Sequence, residues 1–192
     1  MRKSACLLAS VACCVAWSTS SAEVGIGVSG SSDRTTVYIP IDLSKLRLEP
    51  YLRYADFSSD RPDGGTNSSE QLAVGVGIYA RRELSDNFSI YYGGRVGYTN
   101  EEQGTFGFIG FGSIVLTPNS STTDYDGYEL FPSVGAEYRF HERFSLAAEV
   151  GMLYTNVDGT VVSITPPQPA QTTDIGTRRT ETRGTIVLRF FF

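Results

Sequence analysis

The sequence predicts an all-β protein, an eight-stranded antiparallel up-and-down β-barrel that crosses a membrane. Three observations support this prediction. Apolar residues alternate with polar or small residues over runs of roughly 9 to 13 residues. The apolar phase of several runs begins or ends in aromatic residues. The segments that join the runs are alternately short and long.

The alternation is clear in the run that starts at Phe88, whose apolar phase reads Phe88, Ile90, Tyr92, Gly94, Val96 and Tyr98. Successive side chains of a strand point to opposite faces, so a period of two predicts strands with one apolar face. A soluble β-sandwich also alternates, but its strands centre on about five or six residues, whereas a tilted membrane strand needs about 9–11. Aromatic rings at both ends of an apolar band are typical of two lipid interfaces. They are Phe88, Phe140 and Phe144 at one end and Tyr54, Tyr98, Tyr128 and Tyr154 at the other.

The predicted strands are joined by connections of two kinds. We expect strands at residues 24–30, 35–41, 46–56, 71–82, 88–99, 127–140, 144–155 and 179–192. Residues 42–45, 83–87 and 141–143 form short turns, and residues 57–70, 100–126 and 157–178 form long polar loops. Short periplasmic turns and long external loops are the outer-membrane pattern. Ten strands is the alternative, if part of residues 105–116 also enters the wall. Pro40, Pro50 and Pro132 fall inside predicted strands, where we expect bulges or strand ends.

The N-terminal residues predict a cleaved signal peptide over residues 1–22, with the barrel domain at 23–192. Arg2 and Lys3 precede an apolar stretch at 5–17, and Ser20-Ser21-Ala22 supplies a small-residue cleavage site. The apolar stretch is shorter than the ~20 residues that span a bilayer. A lipoprotein site at Cys13 or Cys14 is the alternative.

Composition excludes several classes of function. All three cysteines lie before residue 23, so the mature chain has no disulfide, thiolate metal site or cysteine nucleophile. Cleavage removes two basic residues and no acid, which takes the formal charge from −5 to −7. An acidic chain of this kind is a poor binder of nucleic acid. We find no catalytic, metal or cofactor motif and expect no cofactor.

The last strand gives the sharpest single signal. Ile186, Leu188, Phe190 and Phe192 alternate with Val187, Arg189 and Phe191, and Phe192 is the last residue. In this the sequence resembles the small outer-membrane barrels that include OmpX, Ail and the transmembrane part of OmpA. The resemblance implies an outer-membrane location and recognition of Phe190 and Phe192 by the barrel-assembly machinery. It rests on the pattern of the whole mature chain and on no identifying motif.

The polar phase of the strands carries charges that we assign to the lumen. An arginine facing lipid at the bilayer midplane would cost about 2–4 kcal/mol. The confinement of the charged residues to one phase of the alternation therefore supports the predicted assignment of inward and outward faces. An eight-stranded barrel is just wide enough inside for its own side chains, so we expect these charges to pair with one another as a structural plug. They are Arg47, Glu49, Arg53, Arg81, Arg95, Glu129, Glu137, Arg139, Glu149, Arg183 and Arg189.

The functional expectation is a barrel that acts through its external loops in envelope integrity, adhesion or host interaction, in contact with outer-membrane lipid and lipopolysaccharide. A narrow channel for small solutes, as in OmpW-like barrels, is the alternative. A lipid-modifying enzyme is a further alternative, for which His141, Ser145 and Glu149 have suggestive spacing but no motif context. Asp124 and Asp126 fall short of the ligand pattern of a calcium loop.

Residues 105–116 form the candidate interaction loop. This segment contains Phe106, Phe108, Ile109 and Phe111, although it belongs to the longest predicted external loop. An exposed apolar patch in water often marks a contact surface. The alternatives are a strand hairpin that continues above the membrane and a gate folded over the lumen.

Overall fold

The computed structural model describes residues 22–30, 34–60, 65–110, 116–165 and 168–192, without the side chains of residues 108–118. The strands in these residues are β1 (Ala22–Gly30), β2 (Arg34–Tyr38), β3 (Ile41–Leu43), β4 (Leu46–Asp60), β5 (Thr66–Ser85), β6 (Phe88–Gly110), β7 (Leu116–His141), β8 (Phe144–Ile164) and β9 (Gln171–Phe191). The described residues include no helix with the length and apolar character needed to cross a membrane. The expected signal peptide lies outside them, except for Ala22.

The strands form one closed antiparallel ring. Each strand from β4 to β8 pairs with the next along the chain, and β1 pairs with β9 from Gly25↔Phe191 to Val28↔Leu188. Both β2 and β3 lie between β1 and β4, so together they occupy one position in the wall. The ring therefore has eight wall positions, which confirms the eight-stranded prediction. Residues 105–110 lengthen β6 and add no wall strand, so the ten-strand alternative is wrong.

The break between β2 and β3 is caused by proline. Pro40 has no N–H for the ladder, yet its carbonyl accepts a hydrogen bond from the Gly25 amide at 2.9 Å. Across β1, Tyr38 pairs with Gly27 and Ile41 with Val24, so the register continues through the break. Pro50 and Pro132 lie inside β4 and β7 with no register shift beside them. The expectation of a strand end is confirmed at Pro40, while the expected bulges at Pro50 and Pro132 are wrong, since each proline removes only one donor.

Most of the predicted long loops are strand. β7 has 26 residues and β6 has 23, against the 9–11 or so that a bilayer needs. At roughly 3.3 Å per residue these hairpins extend far beyond one end of the apolar band. The short turns shrink to two residues each, at 44–45, 86–87 and 142–143. The wall is uneven, because β1 ends at Gly30 and β2 begins at Arg34, so this hairpin is much lower than the others.

The two faces of the barrel differ as the alternation requires. Val134 on β7 is 52% exposed on the outer surface, whereas Phe131 on the inner face is 5% exposed. The apolar outer band ends in ring contacts at both rims. The ring centres of Tyr128 and Tyr154 lie 6.4 Å apart on the long-hairpin side, and those of Phe140 and Phe144 lie 6.1 Å apart on the short-turn side.

Placing an arginine in the middle of this band tests its contact with lipid. Val134→Arg should cost about 2–4 kcal/mol in the free energy of unfolding from phosphatidylcholine vesicles, because the guanidinium meets hydrocarbon. Thr122→Arg is the matched control, on the same strand and outward phase but beyond Tyr128. Its cost should stay below about 1 kcal/mol. Equal shifts of the two urea midpoints would contradict the assignment of the band.

Candidate functional site

The centre of the lumen is filled by a charged cluster around Glu49, which is 0% exposed. One carboxylate oxygen of Glu49 accepts a hydrogen bond from Arg95 Nη2 at 2.9 Å, and the other accepts from Arg189 Nη2 at 2.8 Å. Arg95 also binds Glu149 through two nitrogens, at 2.6 and 2.8 Å. These four residues lie on β4, β6, β8 and β9, so the cluster joins strands that are not all neighbours in the wall.

A second layer lies towards the short turns. Arg47 is 0% exposed, donates two hydrogen bonds to Asp42 and a third to Glu137 at 2.7 Å. Arg81 reaches the same Asp42 at 3.0 Å. Ser145 donates its hydroxyl hydrogen to Glu137, which also faces Arg189. Charged hydrogen bonds of this kind are the strong ones, and here each carboxylate meets at least one arginine.

A third layer lies towards the long hairpins. Arg53 binds Glu129 in a two-point contact, with nitrogen-to-oxygen distances of 3.0 and 2.6 Å. The Tyr51 hydroxyl donates to the same carboxylate at 2.7 Å. In the three layers, five acids face five arginines. The acids are Asp42, Glu49, Glu129, Glu137 and Glu149, and the arginines are Arg47, Arg53, Arg81, Arg95 and Arg189. We call these ten residues the lumen network.

Aromatic rings fill the space between the charges. Tyr79 and Tyr91 are 0% exposed, contact each other edge to face, and direct their hydroxyls to Glu149. The Tyr91 ring occupies the space beside Gly135, where an added Cβ would overlap the ring. The guanidinium of Arg95 lies 4.9 Å from the centre of the Tyr38 ring. Such contacts stabilise a desolvated cation.

Nine of the eleven charges that the sequence assigned to the lumen lie in the network. Arg139 and Arg183 do not. Arg139 binds Glu23 of β1 at the short-turn rim, at 2.8 Å. Arg183 lines a cavity further out, and its Nη2 is shielded from solvent without a hydrogen-bond partner in the described residues.

The sequence reasoning missed Asp42, Glu23 and Tyr38. Asp42 was assigned to a turn, although it lies in β3 and is only 4% exposed. Its position continues the inward phase of Thr36 and Tyr38, so extending the alternation past Pro40 would have found it. Glu23 is the first residue of the predicted barrel domain, and no sequence signal indicates its pairing with Arg139.

Above the network the lumen opens into two adjoining cavities of about 290 and 330 Å³. They share Arg34, Arg53, Leu153 and Arg183 in their linings. The deeper one reaches the low β1–β2 hairpin at Ser29. We call the pair the outer lumen cavity.

The possible serine triad does not assemble. His141 is exposed at the end of β7, where its Nδ1 accepts a hydrogen bond from the Arg143 amide. Ser145 is bound to Glu137, and Glu149 accepts hydrogen bonds from Arg95, Tyr79 and Tyr91. A base that activates a serine has to lie within hydrogen-bond reach of it, and the described contacts put His141 elsewhere.

The candidate interaction segment is largely strand. Phe106, Phe108 and Ile109 belong to β6, which pairs with β7 up to Gly110↔Leu116, so these residues are not in a loop. Phe106 is 41% exposed. Phe111 lies outside the described residues. β6 itself continues past the tyrosine rim because its cross-strand pairing with β7 continues there.

A group of aspartates lies on the outer ends of β7, β8 and β9. Asp124, Asp126, Asp158 and Asp174 line a shallow, open depression there. Among the residues that the structure describes, no group of three His, Cys, Asp or Glu side chains is arranged to hold a metal ion.

Arg95→Ala tests the energetic role of the network. The substitution leaves Glu149 with tyrosine partners alone and Glu49 with one arginine fewer, so both carboxylates stay buried with less compensation. We expect a loss of about 3–5 kcal/mol in the free energy of unfolding, read from the urea midpoint. Arg178→Ala is the control, because Arg178 is exposed and binds only Asn156 in the described residues. An unchanged midpoint for Arg95→Ala would show that Arg95 is solvated.

Comparison with known proteins shows the fold. The barrel is similar to a major outer membrane protein from Thermus thermophilus, with a TM-score of 0.58 and 8% identity over 90% of this chain and 100% of that one. It is also similar to CarO of Acinetobacter baumannii, with a TM-score of 0.52 and 12% identity over 88% of this chain and 97% of that one. No protein-family model matches the sequence, and no curated protein matches it significantly. The chain therefore has the fold of a small outer-membrane β-barrel.

Proposed function

We propose that this chain is an integral outer-membrane protein with a closed lumen, which acts through its projecting hairpins in envelope integrity, adhesion or surface interaction. The observation that carries the proposal is the combination of a filled centre and tall outer strands. Arg47, Glu49 and Arg189 at the centre are each 0% exposed. A barrel whose interior is occupied by its own side chains offers its outer surface and its hairpins for function.

The membrane assignment is supported by the outer face. Its band of aliphatic side chains lies between two aromatic rims, which suits a bilayer and would be costly in water. Phe190 and Phe192 contact each other at the short-turn rim, beside the β1–β9 closure. This arrangement fits recognition by the barrel-assembly machinery and the kinship with OmpX, Ail and OmpA that the sequence suggested.

The projecting hairpins supply the surface for a partner. They are rich in Ser, Thr, Asn and Asp, as in residues 119–126 and 171–174. The aspartates at the ends of β7, β8 and β9 would repel the phosphates of lipopolysaccharide unless divalent cations bridge them. The segment at 105–116 remains the candidate contact for a lipid or surface ligand, and its described residues, 105–110 and 116, lie at the far end of the β6–β7 pairing.

The outer lumen cavity favours a second candidate, a narrow channel for small solutes. The cavity leads from the hairpin end down to Tyr38 and Phe131. The network below it argues against a continuous path, because the side chains at the centre leave no exposed surface. A closed barrel that acts through its hairpins is therefore better supported than a channel.

Cysteine labelling tests the location and the orientation together. Gln171→Cys places a thiol at the start of β9 on the hairpin side, and Glu142→Cys places one in a two-residue turn. In intact Gram-negative cells, a membrane-impermeant maleimide should label Gln171→Cys fully and Glu142→Cys only after permeabilisation.

The parent chain is the control for signal cleavage. Its three cysteines all precede residue 23, so a mature parent should not be labelled at all. Labelling of Glu142→Cys in intact cells, or equal labelling of both variants only after lysis, would contradict the proposed orientation.

A further inference from the structure

Arg183 differs from the other inward arginines. It lies on β9 opposite Gly151 of β8, in the inward phase, and it is partly buried. In the part of the chain that the structure describes, its Nη2 is shielded from solvent and has no hydrogen-bond partner, and no carboxylate forms an ion pair with Arg183. A guanidinium that is partly desolvated and unpaired is costly, and an anion at the part of it that lines the cavity would recover some of that cost.

Arg183 supplies the uncompensated positive charge in the deeper part of the outer lumen cavity. Arg53 and Arg95 also line this part, but they are paired with acids of the lumen network. The outer part carries charges of both signs, which are Arg179, Asp56, Glu101 and Glu181. Glu129 is already bound by Arg53 and Tyr51, so it does not neutralise Arg183. Low-dielectric walls strengthen the field of the unpaired Arg183 guanidinium, which favours an anion beside it.

The other side of the same cavity is apolar. Phe131 and Leu153 are 5% and 7% exposed, and Tyr38 lies beside them in the lining. The deeper part has a volume of about 290 Å³, close to the ~300 Å³ lower limit of small-molecule sites. Its floor is the lumen network, through the Arg95 guanidinium that lies over the Tyr38 and Phe131 rings.

We propose that the outer lumen cavity is a binding site for a small organic carboxylate. The carboxylate accepts hydrogen bonds from the Arg183 guanidinium, and the apolar part of the ligand packs against Phe131 and Leu153. The ligand enters from the hairpin end and stops at the network, so the site binds without conducting. This goes beyond the proposed function and does not depend on the partner of the hairpins.

Three probes of related shape test the chemistry on the folded full-length protein in non-ionic detergent. Benzoate should bind saturably in calorimetric titration and more weakly as salt increases, because the contact is ionic. Benzamide keeps the shape without the charge, and acetate keeps the charge without the ring. Each should bind at least about tenfold more weakly than benzoate, which corresponds to roughly 1.4 kcal/mol.

Two arginine variants test the position. Arg183→Gln should weaken benzoate binding at least about tenfold. Arg178→Gln removes the same charge from the same strand but from an exposed position, and it should leave the affinity unchanged. Heat-modified gel mobility establishes that both variants are folded, and the probe comparison on the parent stands even if a variant fails to fold.

Several results would overturn the proposal. Absence of saturable benzoate binding by the parent would exclude the site. Equal affinities for benzoate and acetate would reduce it to a general anion effect without the apolar contact. Equal losses of benzoate affinity in Arg183→Gln and Arg178→Gln would assign binding to the overall charge of the protein and not to this cavity.

Discussion

A charge that is buried inside an eight-stranded barrel must be compensated there, and this constraint organises the whole molecule. Backbone hydrogen bonds of the wall connect only neighbouring strands, whereas the Glu49–Arg189 and Glu49–Arg95 pairs cross the lumen. Because Glu49 is 0% exposed, its pairing cannot be replaced by water without opening the barrel. The ion pairs therefore hold together strands that face each other across the lumen. The backbone hydrogen bonds set the register of each strand relative to its neighbour.

Space inside the ring is shared between the charges and the tyrosines. Tyr51 approaches Gly97 so closely that an added Cβ there would overlap its hydroxyl, and Tyr91 occupies the corresponding space beside Gly135. A side chain larger than glycine at either position would displace a ring whose hydroxyl binds Glu129 or Glu149. Glycine is needed at these two positions because the tyrosine rings leave no room for a larger side chain. Protein interiors are close-packed and tolerate little overpacking. The lumen network and the tyrosine packing therefore depend on each other.

The sequence predicted the part of the barrel that contacts lipid and failed where water lies on both sides. Alternation appears only while one face must be apolar, so it ends near Tyr98 and Tyr128 although β6 and β7 continue. The outer segments are mostly polar in both phases, although they contain threonine, which favours strand. Asp42 was missed because Pro40 interrupts the pattern just before it. The inward direction of Arg183 could be predicted, but its lack of a partner depends on distances across the lumen that no spacing in the sequence encodes.

We propose that the lumen network closes the barrel to ions, because Arg47, Glu49 and Arg189 leave no exposed surface at its centre. The most direct measurement is the current carried by the purified, folded protein in a planar lipid bilayer, with insertion established independently by the gel mobility of the same sample. We expect inserted protein to add no steady current at moderate voltage and salt, since the ion-paired side chains occupy the space through which ions would pass. A reproducible unit conductance that appears with each insertion would contradict it.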